Sequence, residues 1–273
     1  NDWTSKQHPA KEEIKIMTTK PLILAGFVLM LAVTAAAHED DPSVPKHIQR
    51  LKSDDAKERR QAARSLMDLG PRAQGAVVAL TEALGDESPS VRFTAAQALG
   101  SIGPQAVAAA DALAAALKDE NDAVRWNAAA ALGKIRTGGT AVYALTKALK
   151  DNNIQVRRYA AEALGAIGRA ARPSTDALAA MLKDKEVSAV LSAAEALSKI
   201  GKGKLAVDTL AITLKHDDLY RRRRAAEILE TIGSDARDAV PALLHALNDA
   251  AGWRTPKVAA SSASRSAAAS RLP

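Results

Sequence analysis

A period of 32 or 33 residues runs through this chain and decides what it can become. The segments ALGDESPSVRFTAAQALGSIG (83–103), ALKDENDAVRWNAAAALGKI (116–135), ALKDNNIQVRRYAAEALGAIG (148–168) and MLKDKEVSAVLSAAEALSKIG (181–201) are copies of one pattern, and weaker copies flank them at 50–70 and 213–233. One position can be followed throughout: Asp54, Asp86, Asp119, Asp151, Asp184, Asp217 and Asp249 stand 32 or 33 residues apart. A unit this short cannot bury an apolar stripe by itself, so neighbours must stack on a shared core.

Each unit reads as two helices. The first, for example Val107 to Leu117, has apolar residues three and four apart and ends in a polar turn such as Asp119-Glu120-Asn121-Asp122. The second, Val124 to Ile135 in the same unit, repeats the 3.6-residue period, and in other units it ends at Gly70, Gly103, Gly168, Gly201 or Gly233. Pro71, Pro104, Pro173 and Pro241 open or precede the next first helix, where a missing N–H costs little. Composition agrees: 47% of residues are hydrophobic but only 3% aromatic, an Ala, Leu, Val and Ile mixture that suits close-packed helices and argues against an all-β fold. The alanine pairs Ala95-Ala96, Ala128-Ala129, Ala160-Ala161, Ala193-Ala194 and Ala225-Ala226 would let second helices approach closely. With no cysteine in the chain, disulfides, thiolate zinc sites and thiol nucleophiles are excluded. The expected fold is all-α, a right-handed α-solenoid of about six stacked helix-turn-helix units over residues 44–249.

The recurring Asp and VRxxAAxALGxIG string resembles the HEAT repeats, in particular the short bacterial HEAT-like type also found in phycobilin lyases. That resemblance implies an Asp–Arg ladder linking neighbouring units along the inter-helix turns, and it matches Asp86 with Arg92, Asp119 with Arg125 and Asp151 with Arg157. An Arg fork can satisfy a carboxylate and turn carbonyls together. Val190 stands where Arg is expected, so the ladder is predicted to break beside Asp184. The resemblance further implies partner binding along the surface of the second helices. Phe93, Trp126 and Leu191 directly follow the ladder position and Tyr159 stands one residue later; together they form an apolar strip of candidate partner anchors, since aromatics dominate interface hot spots, and stacking on one another is the alternative. One turn further lie Glu162, Glu195 and Glu227, tempered by Arg158 and Arg223. The run Arg221 to Arg224 points all round a helix at 100° per residue and makes no single anion patch, with one Arg expected in the ladder.

Catalytic signals are weak. HEAT-like iron hydroxylases use repeated His-Glu pairs, whereas the His-Glu here is His38-Glu39, outside the repeats; His47, His216 and His245 fall in separate units. No cofactor or metal is expected. The formal charge of +7 is unevenly spread: residues 1–37 carry +1, 250–273 carry +4, and the 38–249 body only +2, which argues against nucleic acid. Residues 17–37, MTTKPLILAGFVLMLAVTAAA, read as a secretory signal peptide cleaved after Ala37, too short in its apolar run for a stable span. Residues 1–16 read as an untranslated or non-native leader, 38–43 as a linker, and 250–273 as a disordered Ser/Ala-rich tail. The expected protein is therefore an exported, periplasmic or secreted bacterial scaffold for a protein or peptide. A lyase-like chromophore-binding protein and a nucleic-acid module are the alternatives.

Overall fold

In the computed structural model, residues 40–248 are described. The expected leader and signal peptide, residues 38–39 of the expected linker, residue 249 of the expected solenoid and the expected tail lie outside them. Thirteen α-helices occur among the described residues, and they alternate between first and second helices of six successive units. The pairs are α1 (Val44–Arg50) with α2 (Ala56–Leu69), α3 (Val77–Glu82) with α4 (Pro89–Ile102), and α5 (Ala110–Ala116) with α6 (Asp122–Ile135). They continue as α7 (Thr140–Ala148) with α8 (Ile154–Ile167), α9 (Thr175–Met181) with α10 (Val187–Lys199), and α11 (Val207–Thr213) with α12 (Leu219–Ile232). A last first-type helix, α13 (Val240–Asn248), follows.

Second helices begin on polar caps. The side chains of Asp55, Asn121, Asn153 and Asp218 accept backbone N–H groups from the first turns of α2, α6, α8 and α12, which would otherwise lack partners. Most end at a glycine with positive φ, as at Gly103 (φ 77°), a conformation in which a Cβ is strained. The third unit differs: α6 ends on Arg136, a non-glycine residue in the left-handed region (φ 59°, ψ 38°).

First helices are shorter than the sequence suggests. The stretch expected as one helix from Val107 is a 3-10 segment, Gly103–Ala109, with non-helical backbone at Ala106, and the α-helix starts only at Ala110. Pro104 cannot donate an i→i−4 bond, and the chain leaves Gly103 directly into this tighter turn.

The core repeats with the sequence. Leu80, Leu113, Leu145, Leu178 and Leu210 of the first helices and Leu66, Leu99, Leu132, Leu164 and Leu197 of the second are fully buried in one continuous cluster. Each contributes about 1.5–3 kcal/mol of burial. Consecutive second helices pack along their lengths from α2 to α10, and less closely between α10 and α12. Their closest approach is made by glycines inside helices. A Cβ placed on Gly100, Gly133 or Gly165 would lie 3.0, 2.8 and 3.0 Å from the Cα of Ala131, Ala163 and Ala196 on the next second helix. Ser198 and Glu230 hold the equivalent positions in the last two units.

Candidate functional site

The polar turns are stitched by arginines. Arg92 donates from Nε and Nη2 to both carboxylate oxygens of Asp119 (2.7 and 2.8 Å), while its Nη1 donates to the carbonyls of Asp86 and Glu87 in its own unit (3.0 and 3.2 Å). The same geometry recurs for Arg59 with Asp86, Arg125 with Asp151, and Arg157 with Asp184. Each Asp also accepts the N–H two residues on, at Ser88, Asn121, Asn153 and Glu186.

Two sequence expectations are corrected. Arg92 shares a turn with Asp86, as Arg125 does with Asp119 and Arg157 with Asp151, but the carboxylate each one grips belongs to the following unit, because the guanidinium points along the stack. Asp184 is therefore fully engaged by Arg157 (2.7 and 3.1 Å), and it is Asp217, the next aspartate along the stack, that has no ladder arginine in the preceding unit, where Val190 stands. Burial alone would push the carboxyls of Asp86, Asp119 and Asp184 up; hydrogen bonds from the arginine and the turn N–H more than offset it and hold all three below the ordinary carboxylate range. Hydrogen bonds to the facing carboxylates raise the Arg92 and Arg125 guanidinium groups.

On the second-helix surface, the rings of Trp126 and Tyr159 stack, with centroids 5.2 Å apart and planes at 22°. Both are half-buried, as is Phe93, and all three rest on the core. Leu191 is 5% exposed and offers a floor, with no projecting side chain. The expected acidic trend is neutralised locally: Glu162 meets Arg158 at 3.4 Å and the Ser192 hydroxyl at 3.2 Å, Glu195 meets Lys199 at 2.8 Å and also Arg224, and Glu227 meets Arg223 and Arg224. Burial opposes ionisation of Glu195, yet the bonds from Lys199 and Arg224 keep its carboxyl below the ordinary value. Of the arginine run, Arg222 donates to the carbonyls of His216 and Asp217, the ladder position within its own unit, and Arg221 bonds His216.

Two open clefts lie on this surface and share Glu162. One, about 540 Å³, is bounded by Gly100, Pro104, Ala130, Gly133, Ala163 and Ala166, with Tyr159 on one side and Lys134 and Arg136 at its rim. The other, about 410 Å³, opens between α8, α10 and α12 over Leu191, where Tyr220 stands exposed beside Arg158 and Arg224. Tyr220 escaped the sequence reading because the comparison of equivalent positions began at the ladder arginine and the following residues, one turn later.

Sequence reasoning also missed a clustering of cations. Averaging over residues 38–249 gave +2 and concealed it. The connections between units carry Lys134 and Arg136, then Arg169 and Arg172, then Lys199, Lys202 and Lys204, all exposed. The polar turns at the other ends of the helices are of mixed charge, with exposed Asp54, Asp55, Glu87, Glu120 and Asp122 beside exposed Lys52, Lys118, Lys150, Lys183 and Lys185. Tabulating charge by position within the repeat would have shown it.

A family profile described as HEAT repeats matches residues 44–122, 110–198 and 142–230, and one described as PBS lyase HEAT-like repeat matches 221–249. No curated protein matches. Among solved structures, the complex of CpcE and CpcF of phycocyanin lyase from Nostoc sp. PCC7120 is 27% identical, with a TM-score of 0.57 over 79% of this chain and 89% of that one. A designed armadillo repeat protein in complex with the peptide (KR)4 is 21% identical, with a TM-score of 0.56 over 70% of this chain and 99% of that one. An engineered protein gives 24% identity and a TM-score of 0.60 over 71% and 100%.

Proposed function

The chain belongs to the HEAT repeats, and from that membership we propose that it is an exported, non-catalytic scaffold that holds a protein or peptide along the surface of its second helices. The observation that carries this reading is the pair of adjoining clefts from α4 to α12, floored by small residues and Leu191, with Tyr159 on the wall of one and the Trp126 stacked on it continuing the half-buried aromatic surface toward Phe93. Such a surface combines apolar depth with fixed charges, the pattern of a peptide groove. A designed armadillo repeat protein of like fold holds a peptide. Export is supported by residues 17–37 alone. Among the described residues no helix is long and apolar enough to cross a membrane.

The test is affinity capture from a cell-envelope extract with the full chain, beside a Phe93→Ala/Trp126→Ala variant whose helicity is checked by circular dichroism. One protein held by the wild type and lost by the folded variant supports the groove; equal capture by both removes it. Export is checked by sequencing the N-terminus of the protein isolated from the envelope, where a start at His38 is expected. The likeness to a phycocyanin lyase complex keeps a second reading, a tetrapyrrole-binding groove; visible absorbance after incubation with bilin would favour it.

A further inference from the structure

The connections joining the third to the sixth units carry an unusual charge pattern. Segments 134–139, 166–174 and 198–206 hold seven Lys or Arg and no Asp or Glu, whereas the equivalent segments 68–76 and 101–109 are balanced or uncharged and 231–239 holds two acids and one base. All seven cations are exposed. These connections lie against one another: Arg172 Nε donates to the carbonyl of Ile200 at 3.2 Å, and a Cβ on Gly138 would meet that of Ala170 at 3.9 Å.

Cations near helix C-termini complement the helix dipole. That accounts for Lys134 and Lys199, which stand in last turns. Lys199 is further held by Glu195, and Arg172 by a carbonyl. Lys134, Arg136, Arg169, Lys202 and Lys204 have no ion-pair partner among the described residues, so five like charges on neighbouring connections are left without internal compensation. The 540 Å³ cleft opens beside them, with Lys134 and Arg136 on its rim and Ala130, Gly133, Ala163 and Ala166 beneath. Its one acid, Glu162, is already engaged by Arg158 and Ser192.

We propose that this edge and the cleft beside it form a docking site for an acidic peptide segment carrying one apolar anchor residue. The inference rests on the scaffold reading and specifies its partner. Carboxylates along an extended segment would face the cations of successive connections, and the anchor would fill the Ala/Gly/Pro-lined cleft. Rim charges of this kind act chiefly on specificity and association rate. A nucleic acid fits less well, because its phosphates have no use for the small-residue cleft and the face of Tyr159 toward the aromatic strip is already covered by Trp126.

The experiment is fluorescence anisotropy with the full chain and three probes: a labelled poly-glutamate peptide with a single central Leu, the same peptide with Lys for Glu, and a single-stranded thymidine oligonucleotide. Two variants, Lys134→Glu/Arg136→Glu and Arg169→Glu/Lys202→Glu, reverse uncompensated exposed charges at separate connections, and circular dichroism checks each fold. Binding of the acidic probe, its absence with the lysine probe, and a weakening of about tenfold in each folded variant are expected, with affinity falling as salt rises. Failure of the acidic probe to bind, binding that ignores both reversals, or tighter binding of the oligonucleotide would overturn the proposal. If the envelope partner is lost by Phe93→Ala/Trp126→Ala yet retained by both reversal variants, this docking site falls while the scaffold reading stands. If the acidic probe behaves as expected and no partner depends on Phe93 and Trp126, the second-helix groove falls instead.

Discussion

Substituting Gly133 sets two forces against each other at one atom. Replacing an interior helical glycine with alanine ordinarily stabilises by about 1 kcal/mol. Here the added Cβ would sit 2.8 Å from Cα and 3.0 Å from Cβ of Ala163, and neither atom can swing aside. Carbon atoms prefer about 3.5–4.0 Å, so α6 and α8 must separate by roughly 0.7–1 Å or bend. Overpacking of this kind costs about 1–3 kcal/mol and exceeds the gain in helix propensity. Gly133→Ala is therefore expected to lower stability by about 1 kcal/mol net, a fall of about 2–4 °C in Tm for a body of this size. Gly85 supplies the control: a Cβ there meets nothing within 4 Å, so Gly85→Ala should leave Tm unchanged or raise it slightly. The assay is thermal unfolding by circular dichroism, repeated in urea. If Gly133→Ala raises Tm as Gly85→Ala does, the helices are not held at contact distance and the close-packing argument is wrong.

Other expectations follow from the turns. Arg92→Ala leaves the largely buried Asp119 without its fork, and should cost about 2–3 kcal/mol in urea unfolding; a change within error would make the ladder ornamental. Because Asp86, Asp119 and Asp184 titrate below their ordinary 3.8, their stabilisation is complete above that pH and drains away as pH falls through their lower folded values. Unfolding midpoints measured down an acid series should therefore fall below about pH 4, and less so in a variant lacking one of these carboxylates. Arg136→Gly relieves a left-handed non-glycine residue and is expected to raise Tm, by an amount equivalent to about 1 kcal/mol; a decrease would mean that the Arg136 side chain compensates for its backbone.

Much of the fold could be read from periodicity because the same physical problem is solved six times. Leu99 and Leu132, or Ala95 and Ala128, face one environment, and repetition averages away the accidents that defeat single-segment reading. Ladder members were identifiable for the same reason, but not their partners: sequence places Arg92 nearest Asp86, and only the stacking direction carries the guanidinium to Asp119. The glycines at 100, 133 and 165 were visible as an ALG string and passed over, although three interior helical glycines at one register is a costly pattern that calls for a close neighbour. For the candidate groove, sequence located the positions but not their exposure; burial of Leu191 and pairing of Glu162, Glu195 and Glu227 depend on neighbours in adjacent units.

The direction of the ladder has an evolutionary consequence. Since each arginine reaches forward to the next aspartate, every unit from the first to the fourth presents an unmet cation on one side and an unmet anion on the other, like a plug and socket of fixed polarity. Duplicating or deleting one such unit in the gene rejoins plug to socket and strands no buried charge, so the array can change length in single steps. Val190 interrupts that freedom, because the fifth unit, if copied, arrives with a socket and no plug.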